Sequence, residues 1–156
     1  MTEHIKKILP ITKKYKVKLI INDDIQLAYK FKNVGFHLGQ SDLKKNKNKK
    51  CLNKKIVFGI TCHNSLKLAK KATLLNSTYV AFGAFFPTKT KKVKYVADKN
   101  ILKKAKKLNT KIVAIGGITD KNYIDLLKFG ADFIAISSFV WKNTEFTPLE
   151  AVKLFK

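Results

Sequence analysis

The stretch Lys111-Ile-Val-Ala-Ile-Gly-Gly-Ile-Thr-Asp-Lys-Asn-Tyr-Ile-Asp-Leu-Leu-Lys-Phe-Gly-Ala-Asp-Phe-Ile-Ala-Ile-Ser-Ser138 decides the fold. It opens on an apolar run of strand length, residues 112–115, that stops at Gly116-Gly117. Thr119 or Asp120 then stands where a helix cap belongs, residues 121–129 carry a helical apolar pattern, and Gly130 ends it. A second apolar run, residues 133–137, leads into Ser138. Two almost continuously apolar strands joined by a helix are the pattern of a parallel sheet covered on both faces.

The same rhythm extends toward the N-terminus. Strands are expected at residues 17–21, 34–38, 56–61 and 79–83, and helices at 3–15, 25–32, 65–75, 100–108 and, after the last strand, 148–155. In the 65–75 segment, Leu66, Leu68, Ala69, Ala72 and Leu75 share one helical face. Residues 42–55 break the rhythm with seven lysines around Cys51 and no apolar period, as an exposed loop or weak helix would. Six parallel strands result. A closed (β/α)₈ barrel needs eight, whereas an open doubly wound sheet needs only five or six, so the pattern alone leaves both architectures open.

Composition narrows the class. With 156 residues, 46% of them hydrophobic, the chain suits a single domain over residues 1–156 that buries roughly 70% of its unfolded surface. That apolar share excludes intrinsic disorder despite a net charge of +23. Cys51 and Cys62 are the only cysteines, which excludes a disulfide scaffold. Residues 1–7 have no apolar signal core, and no run reaches the roughly 18 apolar residues of a membrane span, so a soluble cytoplasmic protein is expected. All 33 basic residues are lysine. Nucleic-acid surfaces favour the bidentate arginine fork, so no specific nucleic-acid partner is expected, only salt-sensitive attraction to polyanions.

In parallel α/β folds, ligands meet the C-terminal ends of the strands. Those ends carry Asn22, Asp23 and Asp24; Gly39, Gln40, Ser41 and Asp42; Thr61, Cys62 and His63; then Thr88, Lys89, Thr90 and Lys91; and finally Gly116-Gly117 and Ser137-Ser138. Asp23 and Asp42 are what a Mg²⁺ ion needs when it also holds phosphate oxygens, although spacing alone favours a helix N-cap for each. Gly116-Gly117 with Ser137-Ser138 suits an anion site of exposed backbone N–H groups, commonly built on the last two strands of a barrel.

Six strings together resemble the thiamine-phosphate synthase family: Ile21-Asn-Asp, His37-Leu-Gly-Gln-Ser-Asp42, Gly59-Ile-Thr-Cys-His63, Gly83-Ala-Phe-Phe-Pro-Thr-Lys-Thr-Lys-Lys92, Ala114-Ile-Gly-Gly-Ile-Thr119 and Gly130-Ala-Asp132. The resemblance implies a (β/α)₈ TIM-type barrel that joins a pyrimidinylmethyl diphosphate to a thiazole ethyl phosphate, giving thiamine phosphate and pyrophosphate. It further implies Mg²⁺ on Asp23 and Asp42. Asn22, Thr61 and Lys91 would contact the pyrimidine diphosphate, with Lys91 and Thr61 in the catalytic role. Thr88, Lys89, Thr90, Gly117, Ser137 and Ser138 would hold the thiazole phosphate.

The resemblance also departs from its pattern. The family carries a strand, helix and strand ahead of the region matching residues 3–15, ending in a Gln-x-Arg-x-Lys motif, and nothing here matches that motif. The chain is therefore expected to supply barrel strands three to eight, as a fragment with impaired activity. A homo-oligomer or a barrel-completing segment would cover its open edges. Two other functions compete. A thiazole tautomerase would use His63 as its acid/base, and a non-catalytic phosphate-ligand binder would use the anion site alone.

Overall fold

The computed structural model describes residues 1–45, 56–88 and 95–156. After helix α1 (Thr2–Lys14), strand and helix alternate as β1 (Leu19–Asn22), α2 (Ile25–Tyr29), β2 (Val34–Leu38), α3 (Gln40–Lys45), β3 (Phe58–His63) and α4 (Leu66–Leu74). The second half runs β4 (Tyr79–Phe82), α5 (Asn100–Ala105), β5 (Lys111–Ile115), α6 (Tyr123–Lys128), β6 (Phe133–Ala135), α7 (Ser138–Trp141) and α8 (Pro148–Lys153). All six strands are parallel and pair in chain order, so β1 and β6 are the two edges.

The sheet is curled. A flat sheet of six strands would separate its edge strands by about 24 Å. Here residues at the ends of β1 and β6 line one cavity. The strands thus form an arc of a (β/α)₈-type barrel, with the cavity on its concave side.

Alternation along each strand divides the labour. Phe58, Ile60 and Cys62 of β3 are fully buried, as are Phe36 and Leu38 of β2, Val80 and Phe82 of β4, and Ile112 and Ala114 of β5. These side chains form the core with the helices; the Phe36 and Phe58 rings stack at 5.1 Å. Ala69 and Ala72 of α4 are buried against it, and Leu66, Leu68 and Leu75 pack at its margin, which is the face read from the sequence. The residues between them in the strands, such as His37, Thr61, His63 and Ile115, face the cavity.

Several local expectations are corrected. Asp24, not Asp23, caps α2, its carboxylate accepting from the Leu27 N–H at 2.8 Å. Neither Thr119 nor Asp120 caps α6. Asn122 holds that position and ties the preceding turn together, accepting from the Thr119 N–H and donating to the Gly117 carbonyl. The 42–55 segment begins inside α3, and its residues 46–55, with Cys51, lie outside the described residues. Helix α7, four residues long and two residues after β6, has no period long enough to read from the sequence.

Candidate active site

The cavity measures about 720 Å³ and opens at the C-terminal ends of all six strands. On one side stand Asp23 and Asp42. With Asp24 occupied as the cap, Asp23 sits in the left-handed region at φ 64° and turns toward β2. Its N–H donates to the His37 carbonyl at 2.7 Å, and its carboxylate accepts from the Gly39 N–H at 3.3 Å and from the Asn22 amide. Asp42 lies in the first turn of α3 and accepts from the Ser41 hydroxyl at 3.2 Å. A Cβ built on Gly39 would stand 2.9 Å from one Asp42 carboxylate oxygen and 3.8 Å from one of Asp23. The glycine therefore leaves a hollow on which two carboxylates converge.

That donor set suits Mg²⁺ and no closed metal site. Among the described residues no group of three or more His, Cys, Asp or Glu side chains gathers. Mg²⁺ characteristically takes one or two carboxylates and completes its shell with water and substrate phosphate oxygens.

The centre of the cavity is built on β3 and its neighbours. Thr61 places its hydroxyl 2.8 Å from His37 Nε2, and its carbonyl accepts from the Gln40 side-chain amide. His63, at φ 52° where the β3–β4 register shifts, packs its ring 4.3 Å from that of Tyr95. Burial holds the His63 imidazole below its ordinary value, so it is neutral at pH 7. Cys62 points the other way, into the core, where burial pushes its thiol up to about 12 and leaves it inert.

The far side is a cup of small residues. Gly116 and Gly117 have φ of 101° and 64°. A Cβ on Gly117 would fall 2.3 Å from the Pro87 carbonyl oxygen, and one on Gly116 would meet the Ala84 methyl at 2.3 Å. Only glycine satisfies both the conformation and the packing. The Phe85 and Phe86 N–H groups donate to the Ile115 and Gly116 carbonyls, fastening the segment after β4 to the end of β5. Gly117 and Ser138, at the ends of adjacent strands, line the same cavity. Among the described residues their N–H groups meet no backbone carbonyl.

The structure thus gathers Asn22, Asp23, Asp42, Thr61, Thr88, Gly117, Ser137 and Ser138 around one space. Lys89, Thr90 and Lys91 lie outside the described residues. Two further lining residues, His37 and Tyr95, had no role in the sequence reading. His37 opens the His37–Asp42 string, but what gives it a role is the Tyr79 ring on another strand.

A barrel arc whose strand ends gather carboxylates, hydroxyls and glycine turns around one cavity has the architecture of an enzyme acting on small molecules. The comparisons name the family. The profile described as thiamine monophosphate synthase matches residues 1–140, and the chain belongs to that family. A thiamine-phosphate synthase of Pelagibacter ubique is 51% identical over 97% of this chain and 73% of its own length. One from Xylella fastidiosa is 32% identical over 99% of this chain and 65% of its own length. The solved thiamine phosphate pyrophosphorylase from Pyrococcus furiosus superposes with a TM-score of 0.83 at 26% identity, over 99% of this chain and 73% of that one. The chain therefore spans about two thirds to three quarters of these relatives. No helix among the described residues is long and apolar enough to cross a membrane.

Proposed function

We propose that the cavity joins 4-amino-2-methyl-5-pyrimidinylmethyl diphosphate to thiazole ethyl phosphate, yielding thiamine phosphate and pyrophosphate. One observation carries this reading. A single cavity has two converging carboxylates on one side and, on the other, the amides of Gly117 and Ser138, which among the described residues meet no backbone carbonyl, a division that suits two phosphorylated substrates.

Asp23 and Asp42 would hold Mg²⁺, which when bound neutralises charge on the diphosphate. Asn22 beside them and the Thr61 hydroxyl at the centre of the cavity would bind the diphosphate, and Lys91, carried over from the family string, would add a cation. As the carbon–oxygen bond to the diphosphate breaks, the bonding pair leaves with oxygen, and groups already aimed at that oxygen stabilise the transition state. The thiazole nitrogen then supplies its lone pair to the pyrimidinylmethyl carbon. Its phosphate holds the ring within reach, with Thr88 on the cavity wall as a further contact and Lys89 and Thr90 assigned to it from the family string alone. No protein nucleophile takes part. Phosphate esters of this kind do not cross bilayers unaided, which suits a cytoplasmic reaction.

The test is incubation of the purified chain with both substrates and Mg²⁺, with thiamine phosphate as the readout. Formation is expected to be slow, because the chain has no arginine to match the family's Gln-x-Arg-x-Lys grip on the diphosphate. Binding of thiazole phosphate and Mg²⁺-dependent binding of pyrophosphate should both be measurable by calorimetry. Absence of pyrophosphate binding together with absence of product would overturn the proposal. Isomerisation of a thiazole phosphate without any pyrimidine would instead support the tautomerase, for which His63, neutral and on the cavity wall, is the base.

A further inference from the structure

Three strands contribute one residue each to a row across the concave face of the sheet. His37 of β2 pairs with Gly59 of β3, and Gly59 pairs with Tyr79 of β4. The middle residue has no side chain, and a Cβ there would fall 2.0 Å from the Tyr79 ring. The Tyr79 ring instead lies across Gly59 and stacks on His37, with centroids 5.6 Å apart and planes 21° apart. The phenol oxygen is 3.1 Å from His37 Nδ1, and on the other edge of the imidazole Nε2 is 2.8 Å from the Thr61 hydroxyl. Tyr79 does not line the cavity, whereas His37 and Thr61 do.

Proton bookkeeping along this chain gives it a direction. Burial pushes the Tyr79 phenol up to about 12, so it keeps its hydrogen at any pH near neutrality. Among the described residues His37 Nδ1 is the acceptor within its reach. With Nδ1 accepting from the phenol, the imidazole carries its hydrogen on Nε2 and donates to the Thr61 oxygen. Thr61 then has its hydrogen left to give elsewhere, and its hydroxyl stands on the cavity wall. The opposite tautomer would absorb that hydrogen and present only lone pairs to an incoming anion.

We propose that His37 and Tyr79 are positioning residues that fix the Thr61 hydroxyl as a hydrogen-bond donor into the cavity, and thereby set its affinity for the diphosphate. The inference rests on the diphosphate reading above and deepens it. Neither residue needs to touch the reacting atoms.

Two measurements test it. Long-range ¹H–¹⁵N correlation spectra of the free protein, with His37 assigned by comparison with His37→Gln, should show the Nε2-protonated tautomer. Tyr79→Phe, which keeps the ring and removes the phenol, should release that tautomer preference. Calorimetry with inorganic pyrophosphate and Mg²⁺ should then show Tyr79→Phe weakening binding about ten-fold, the scale of one hydrogen bond to a charged group. The same change made in a Thr61→Val background should have no further effect, whereas a Thr61→Ser background should preserve it. An Nδ1-protonated His37, or a Tyr79→Phe effect undiminished in Thr61→Val, overturns the proposal while leaving the cavity's function intact. A wild-type chain that spectroscopically shows the Nε2 tautomer but ignores pyrophosphate overturns the diphosphate reading, and with it the ligand named here.

Discussion

Asp24 caps helix α2 through the Leu27 N–H, and Asp23, one residue earlier, turns its carboxylate to the Gly39 N–H on the next strand end. Adjacent residues of the same type therefore have unlike consequences. Asp24→Ala should destabilise the protein by about 1 kcal/mol, the usual effect of losing an N-cap, and leave pyrophosphate affinity unchanged. Asp23→Asn should remove Mg²⁺-dependent pyrophosphate binding with little change in stability, since asparagine tolerates the left-handed backbone at this position. Denaturant titration and calorimetry on the two variants separate these effects. Equal loss of stability in both would make Asp23 a structural residue.

Gly117→Ala should damage the opposite end of the cavity. The added methyl meets the Pro87 and Phe86 carbonyl oxygens, and the backbone conformation is strained for any L side chain. A loss of about 1–3 kcal/mol is expected, together with loss of thiazole phosphate binding. Pyrophosphate binding at the Asp23 end should survive in whatever fraction remains folded. Retention of thiazole phosphate affinity would remove Gly117 from the cup.

Asp132 ties β5 to β6. Its carboxylate accepts from the Ile112 N–H at 2.8 Å and pairs with Lys106 at 3.5 Å and Lys111 at 3.7 Å. Burial alone would raise its pKa, but the Ile112 hydrogen bond and the two lysines together outweigh burial and hold it below the ordinary carboxylate value. A depressed folded-state pKa means that the stabilisation is present at neutral pH. It is lost as acid protonates the group, from the ordinary carboxylate range down through the depressed value. Asp132→Asn should therefore lower stability at pH 7 and narrow the gap to wild type at pH 3, as followed by thermal melts. A constant gap across that range would discount the charge.

The Tyr95 ring helps keep His63 out of water. Tyr95→Ala should move the His63 pKa upward toward its ordinary value, by exposing an imidazole that burial now holds down. Titration of the ring protons by NMR reads this directly. No shift would mean that the strand end alone shields the imidazole.

What could be read along the chain was whatever is local. The alternation of apolar runs with helical patterns predicts the six strands, because each run must bury its own side chains whatever its neighbours do. Strand-end residues such as Thr61 and Ser138 were legible because the architecture itself dictates where loops converge. Asp23 and Asp24 were harder: both can cap a helix, and only the chain's path decides which one does. The link from Tyr79 through His37 to Thr61 was out of reach, since its members lie 42 and 24 residues apart and meet only because Gly59 lacks a side chain.

The alternation along β3 has an evolutionary corollary. Its even-numbered residues, Phe58, Ile60 and Cys62, pack into the core, while Thr61 and His63 look onto the ligand space. Selection for folding and selection for chemistry therefore act on interleaved codons of one short segment. In a saturation library, defects at the even positions should be rescued by growth at lower temperature or by a stabilised background. Defects at Thr61 and His63 should persist there and respond only to a change of substrate. Changes of ligand preference at this wall could thus accumulate one odd codon at a time without passing through unfolded intermediates.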